Sequence, residues 1–536
     1  MQNPAILRAG RAFEGGDLAT AEQICRNLLV AEPHKADARQ LLGIVCRRQG
    51  NLEESEQLLA SSIDLNPQRA EWRVNYSNLL RSLGRLRDAE FQLRMAIKID
   101  PQLRKARLAL AGLLTAAGVP DQAEVEVRPL LDRNPRDTEA LVTLAGAQRA
   151  SGKLEDAEAN YRKALATSPK YAVARHDLGA LLCQLSRPEE AIQELDRATS
   201  LGLVTPELHY NRGSALFTLG RFDEADVELM SAVGLQPQYL DAQEFLAKLR
   251  YMRGEEDYTR EFARVSSAGS DPRLAMAHGD LLRRGGHLDE AADILREVLR
   301  KHADAPEVAS SLAVVLQEKG HLEEALEHAR VANSGFPDDP DIAENLVAIL
   351  LQLGESGQCA PLIRRWRNSS PLDQRWLTYE ATAARLSGDA RYEELYNYDR
   401  FTMPYDLQPP RGFSSIDDFH AELIPHLNRL HQLATHPLDQ SLRHGTQTAM
   451  DLRADSSRVI RGFFEALQEP IREYRSRLGF DPHHPFLQRN RGDFEFAGCW
   501  SVRLAEQGFH VNHIHPKGWI SSAYYVEVPP DVEDEE

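Results

Sequence analysis

Residues 76–101 read YSNLLRSLGRLRDAEFQLRMAIKIDP, and the punctuation of that stretch returns along the chain at a fixed interval. Prolines stand at Pro33, Pro67, Pro101, Pro135 and Pro169, each 34 residues from the last. Between them a small residue recurs (Gly43, Ser77, Ala111, Ala145, Gly179), and a turn residue follows seven positions on (Gly50, Gly84, Gly118, Gly152, Ser186). Five positions later comes a second small residue (Ser55, Ala89, Ala123, Ala157, Ala191). Small residues let two antiparallel helices approach closely, and glycine takes the left-handed conformation that ends a helix. Proline stops the second helix before the next unit starts. The pattern predicts a mainly α chain built as a helix-pair solenoid, each pair burying its apolar face against the next.

The register slips near Gly202–Pro206, resumes with Gly213, Gly220, Ala225 and Pro237, and weakens through Tyr251–Pro272 (YMRGEEDYTREFARVSSAGSDP). It returns with Gly279, Gly286 and Ala291, then Ala313, Gly320, Ala325 and Pro337, and a last spacing of 34 leads to Pro371. The weak unit reads as a hinge between two sub-arrays or as a degenerate repeat, with the second favoured. Segments such as residues 76–101 and LGALLCQLSRPEEAIQELDRA (178–198) resemble the tetratricopeptide repeat family. The resemblance covers residues 3–390 in roughly eleven units. It implies a protein or peptide partner held in a concave groove.

The chain has 536 residues and a formal charge of 63 − 81 = −18, which disfavours nucleic acid and anionic membrane surfaces as partners. No run approaches the ~18 apolar residues of a membrane span, and the first residues carry no secretory pattern, so the expected compartment is the cytoplasm. The five cysteines (Cys25, Cys46, Cys183, Cys359, Cys499) are scattered, without a CxxC pair.

After residue 390 the text changes. Eight of the 18 histidines lie in the first 390 residues and ten lie between His420 and the last residue. A proline-bearing linker or opening strand is expected near Tyr392–Gly412, then packing helices at Ile416–Leu433 and Ser456–Leu478. On that reading His420, His426, His431 and His436 are mostly surface or capping residues. From Phe494 the apolar period becomes two, which predicts three strands: CWSVRL, the stretch around GFHVNHIH, and ISSAYYVEV, with breaks at Glu506–Gly508 and Pro516–Gly518. On a strand His513 and His515 share a face about 7 Å apart, a spacing at which two imidazoles grip one cation, while His510 has the other parity.

GCWSVRLAEQGFHVNHIHPKGWISSAYYVEVP (498–529), together with YEELYNYDRFTMPYDL (392–407) and HPLDQSLRHGTQT (436–448), resembles a bacterial family of 2-oxoglutarate and iron(II)-dependent oxygenases. The resemblance implies a domain at 391–536 that begins a double-stranded β-helix, or jelly roll, and takes Fe(II) and 2-oxoglutarate. His513 and His515 would hold the metal, with histidine standing where a carboxylate is usual. Tyr525 or Tyr524 would hydrogen-bond the co-substrate carboxylate, and Arg503 would serve the pocket. Against these stand plainer readings: aromatics half-buried on a strand, and a surface arginine. A distal histidine and a basic anchor do not follow, so only the N-terminal part of such a domain is expected, in a truncated chain. His510, His444, Asp493 and Glu495 are the other sources of a third ligand. The function implied is a dioxygenase hydroxylating a protein or peptide recruited by the repeats. The alternatives are a non-catalytic repeat scaffold with a degenerate or incomplete domain, and a zinc or cupin-like site with hydrolytic or isomerase chemistry.

Overall fold

The computed structural model describes residues 3–267, 271–302, 304–515 and 518–528. The chain divides into two compact units between Val204 and Thr205. The first holds six antiparallel helix pairs, from Pro4–Glu14 with Leu18–Ala31 to Ala172–Gln184 with Pro188–Ser200. The second holds five more, from Pro206–Thr218 with Phe222–Leu235 to Pro340–Gln352 with Ser356–Ser369, then the helix Gln374–Ser387 and the C-terminal segment.

Every turn landmark does the work expected of it. Gly50, Gly84, Gly118 and Gly152 have φ between 73° and 88°, and Ser186 takes the same left-handed conformation at 56°. The small residues sit at the helix crossings. A Cβ on Gly179 would lie 2.6 Å from Leu195 Cγ, and Ala157 and Ala191 are wholly buried. A second regularity lies in the arginines. Arg39, Arg107 and Arg175 each donate to the carbonyl of the proline six residues earlier and also reach across to the second helix of the same pair. Arg26, Arg94 and Arg162 in the first unit, and Arg296 and Arg330 in the second, donate to a side chain 28 residues on, in the following repeat. Such exposed pairs contribute little stability each; they mark the register of the stack.

The unit that departs from the pattern is physically distinct. After Leu240–Met252 the second helix shrinks to Arg260–Ser267, 8 residues against 14 in the preceding Phe222–Leu235. Four residues of turn precede it, and Tyr258 and Phe262 fold inward to 3% and 1% exposure. Leu438, from far along the chain, completes their cluster with Ala247, Leu274 and Leu281.

The C-terminal segment opens with two short helices, Arg391–Leu395 and Tyr398–Phe401, where a linker was expected. The helix Ile416–Leu430 packs Phe419, Leu423 and Leu427 against Val459, Ile460 and Phe463 of Arg458–Ala466. The stretch expected as one helix over Ser456–Leu478 is two, divided at Leu467 before Gln468–Leu478.

Among the described residues there is one sheet, with two antiparallel strands, β1 (Leu442–Gln447) and β2 (Val502–His510). This corrects the expectation of three strands after Phe494. β2 runs through the expected break at Glu506–Gly508, absorbed as a bulge between the pairs Arg443↔Phe509 and Gly445↔Leu504. Two glycines make this possible: a Cβ on Gly445 would lie 2.5 Å from the Arg503 carbonyl oxygen, and one on Gly508 would lie 2.3 Å from that of His444. Residues 511–515 and 518–528 form no strand. Alternation supplies a face but not a partner, and β2 spends its ladder on β1. The expected strand around ISSAYYVEV instead lays its Tyr524 among Phe463 and its neighbours. Beyond His510 the chain leaves the strand, so alternation does not set which way His513 and His515 face.

Candidate functional site

His431 caps the helix Ile416–Leu430 and ties it to both strands. Its Nδ1 lies 2.8 Å from Thr446 Oγ1 and its Nε2 3.0 Å from Ser501 Oγ, so the ring is clamped where β1 meets the residue before β2. Burial, helped by the nearby Arg503 charge, pushes its pKa down to about 4. His426 Nε2 lies 2.6 Å from Asp455 Oδ2. His436 is 6% exposed, edge-on to Tyr251 with the rings 5.5 Å apart, and burial likewise pushes it down to about 4. The expectation that His420, His426, His431 and His436 are surface or capping residues is thus corrected. His431 caps a helix, but all four are half-buried or buried and join elements distant in sequence, because a ring with two hydrogen-bonding nitrogens bridges two partners at once.

At and beyond the end of β2 three imidazoles line up. His510 and His513 have ring centroids 5.8 Å apart, and His513 and His515 4.9 Å apart. Trp500 lies 6.1 Å from His515 on the other side. His513 Nδ1 donates to the Val511 carbonyl oxygen at 2.9 Å, which puts a proton on Nδ1, so that in the neutral ring the lone pair is on Nε2. Burial and the neighbouring imidazoles hold His515 below its ordinary pKa, favouring the neutral ring a metal needs. The chemistry of these donors suits iron, zinc, copper or nickel. Among the described residues, however, no three His, Cys, Asp or Glu side chains gather to hold a metal ion. The pair fits two positions of a metal site and leaves the third unfilled among them.

The other three candidates stand elsewhere. Tyr524 sits 2.7 Å from His420 Nε2 and packs on Phe463, with burial raising its pKa. Tyr525 is 76% exposed. Arg503 lies on β2 and donates to Asn428 Oδ1 at 3.5 Å. The loop after the imidazoles is fastened at two points: the Gln374 side-chain amide at the end of the helical array donates to the Gly518 carbonyl, and the Trp519 indole donates to the Phe486 carbonyl of the C-terminal segment at 3.0 Å. Of these contacts, the clamp on His431 and the Gln374 tether were not found from the sequence.

An array of paired helices leading into a small histidine-bearing segment defines a repeat protein with a C-terminal appendage, and comparison with known proteins gives each part a family. Tetratricopeptide repeat profiles match residues 12–74 and 148–210, residues 47–104, 108–172 and 276–357, and residues 206–239. A profile described as "Putative 2OG-Fe(II) oxygenase" matches residues 498–536. The chain belongs to the tetratricopeptide repeat proteins across its N-terminal ~360 residues, with a short oxygenase-family match at its C-terminal end. It is 38% identical over 82 residues to the TPR repeat-containing thioredoxin TTL4 of Arabidopsis thaliana, a stretch that spans 15% of this chain and only 12% of that relative. Among solved structures, a tetratricopeptide repeat protein from Parabacteroides merdae is 18% identical, over 46% of this chain and 97% of that one, with a TM-score of 0.42. Yeast Tom70 is 15% identical, over 73% of this chain and 96% of that one, also with a TM-score of 0.42. No helix among the described residues is long and apolar enough to cross a membrane.

Proposed function

We propose that this chain couples a tetratricopeptide repeat array, residues 3–390, to part of a 2-oxoglutarate/Fe(II)-dependent dioxygenase domain, residues 391–536, which hydroxylates a protein or peptide brought by the repeats. The observation that carries the proposal is the oxygenase-family match over 498–536, the stretch containing His513 and His515. The two strands would then begin a double-stranded β-helix. His513 and His515 would hold the iron, which with 2-oxoglutarate and O₂ supplies oxidation of an unactivated C–H bond. The chain's own contribution begins with the Val511 carbonyl, which fixes a His513 proton on Nδ1, so that the neutral ring keeps its lone pair on Nε2. Trp500 stands beside His515 as apolar cover. Tyr524, Tyr525 and Arg503 remain candidates for the co-substrate carboxylate. Tyr524 would have to give up His420 to serve there.

Anaerobic titration of the chain with Co(II) or Fe(II), followed by absorbance or calorimetry, tests this. Saturable binding lost in His513→Ala and weakened in His515→Ala is expected. Binding that does not depend on His513 would reject the assignment. A second reading, a repeat scaffold whose C-terminal segment holds no metal, is favoured by the lack of a three-donor cluster among the described residues. It predicts no His513-dependent binding.

A further inference from the structure

The shortened repeat has an occupant from far along the chain. Where an ordinary second helix would begin soon after the glycine turn, residues 256–259 form turns and the helix starts only at Arg260, beside the buried Ala247, Phe262 and Leu281. Leu438 completes their apolar cluster at 1% exposure. The backbone beside it is bound as well: Ala434 and Thr435 both donate their N–H groups to the Met252 carbonyl, at 2.8 and 3.1 Å, and the Thr435 hydroxyl donates to the Tyr251 carbonyl at 2.8 Å. These oxygens lie at the C-terminal end of the helix Leu240–Met252, where carbonyls have no partner within the helix. The Tyr251 hydroxyl lies 3.3 Å from His436 Nε2, and Lys248 lies 3.7 Å from Asp439. Three residues after Asp439, β1 begins.

We infer that residues 434–439 are a latch: the shortened repeat is the internal receptor for this segment, and by gripping it the array sets the position of β1 and, through the ladder, of β2 and the imidazoles after it. The segment has a full set of anchors for its length, namely a buried apolar side chain, three hydrogen bonds to helix-end carbonyls and an aromatic edge contact. A two-stranded sheet is marginal by itself, so its order depends on what holds its ends. His431 clamps β1 from one side and the latch clamps it from the other. Strain applied to the shortened repeat is thereby delivered to the strand pair, although the two are separated by some 180 residues of sequence. The inference does not require a metal to bind.

The test uses the full chain and amide hydrogen exchange read by mass spectrometry at 442–447 and 502–510, with 306–352 as the internal reference. Leu438→Asp should speed exchange in both strands at least about ten-fold and leave the reference unchanged. Leu438→Met should restore protection. The decisive variant is on the array side: Phe262→Ala, which touches neither strand, should loosen the strands as well as its own repeat. Unchanged strand protection in Leu438→Asp, or in Phe262→Ala, overturns the latch. Loss of protection across 306–352 in Leu438→Asp overturns it too, since the residue would then be general core. Co(II) titration run alongside reports separately on the metal assignment, because the exchange result stands whether or not cobalt binds.

Discussion

Acidification should loosen the second unit well before its carboxylates titrate. His278, His431 and His436 are each held down to about 4 from an ordinary value of 6.5, with burial the leading cause in all three. The folded state keeps these rings neutral while the unfolded chain takes up a proton near 6.5, so lowering the pH favours the unfolded chain. The loss begins as pH falls through 6.5 and levels off below about 4. Going from pH 7 to pH 5, one such histidine removes at most ~2 kcal/mol, since a shift of one unit corresponds to ~1.4 kcal/mol. His436, 6% exposed, should approach that figure, and the more accessible His431 should fall short of it. The assay is urea unfolding followed by hydrogen exchange at 442–447 and 502–510, at pH 7, 6 and 5. In His436→Phe, which keeps an aromatic ring against Tyr251 but does not titrate, the stability of the strands should depend less on pH by about the contribution of one histidine. If wild type and His436→Phe lose stability in parallel between pH 7 and pH 5, His436 is not a neutral buried group and the reasoning fails.

The remaining predictions concern the array. Gly179→Val places methyl groups where a Cβ alone would meet Leu195 Cγ at 2.6 Å, so it should destabilise the first unit by ~1–3 kcal/mol in a denaturant titration. Ser186→Gly relieves a left-handed serine at φ 56° and should be neutral to stabilising by up to ~1 kcal/mol, whereas Gly152→Ala at the same landmark should destabilise by about as much. Gln374→Ala removes the tether on the Gly518 carbonyl and should raise protease cleavage after Gly518 severalfold without changing the helical circular-dichroism signal.

The array was legible because its signals are local and repeated. A glycine at φ 88° or an alanine at a helix crossing does its work within a few residues of itself, and the 34-residue spacing repeats the evidence. The departure at Tyr251–Pro272 was visible as a break, but its cause was not, since Leu438 is nowhere near it in sequence. β1 was missed for a related reason. LRHGTQ has little strand propensity, and it is a strand because β2 pairs with it across 60 residues. The alternation after Phe494 was real text read too far, for a strand needs a neighbour as much as a pattern. The imidazole row differs from expectation in backbone and in spacing: rings expected about 7 Å apart along a strand lie 4.9 Å apart, and His510 joins them. His513 and His515 adjoin through a loop, and the contact that fixes the His513 proton, to Val511, is one that a parity argument does not see.

The arginine contacts have a consequence for how this array can change length. In the first unit the proline carbonyl bond closes within a repeat, and the longer bond reaches only the next one, 28 residues on. Excising one whole period, such as residues 102–135, would join surfaces that already match, and the chain on either side would meet a neighbour of the same shape. The array is therefore a ruler that can lose a division and still be a ruler. The shortened repeat is an exception, a division bolted through Leu438 to the segment that leads into β1.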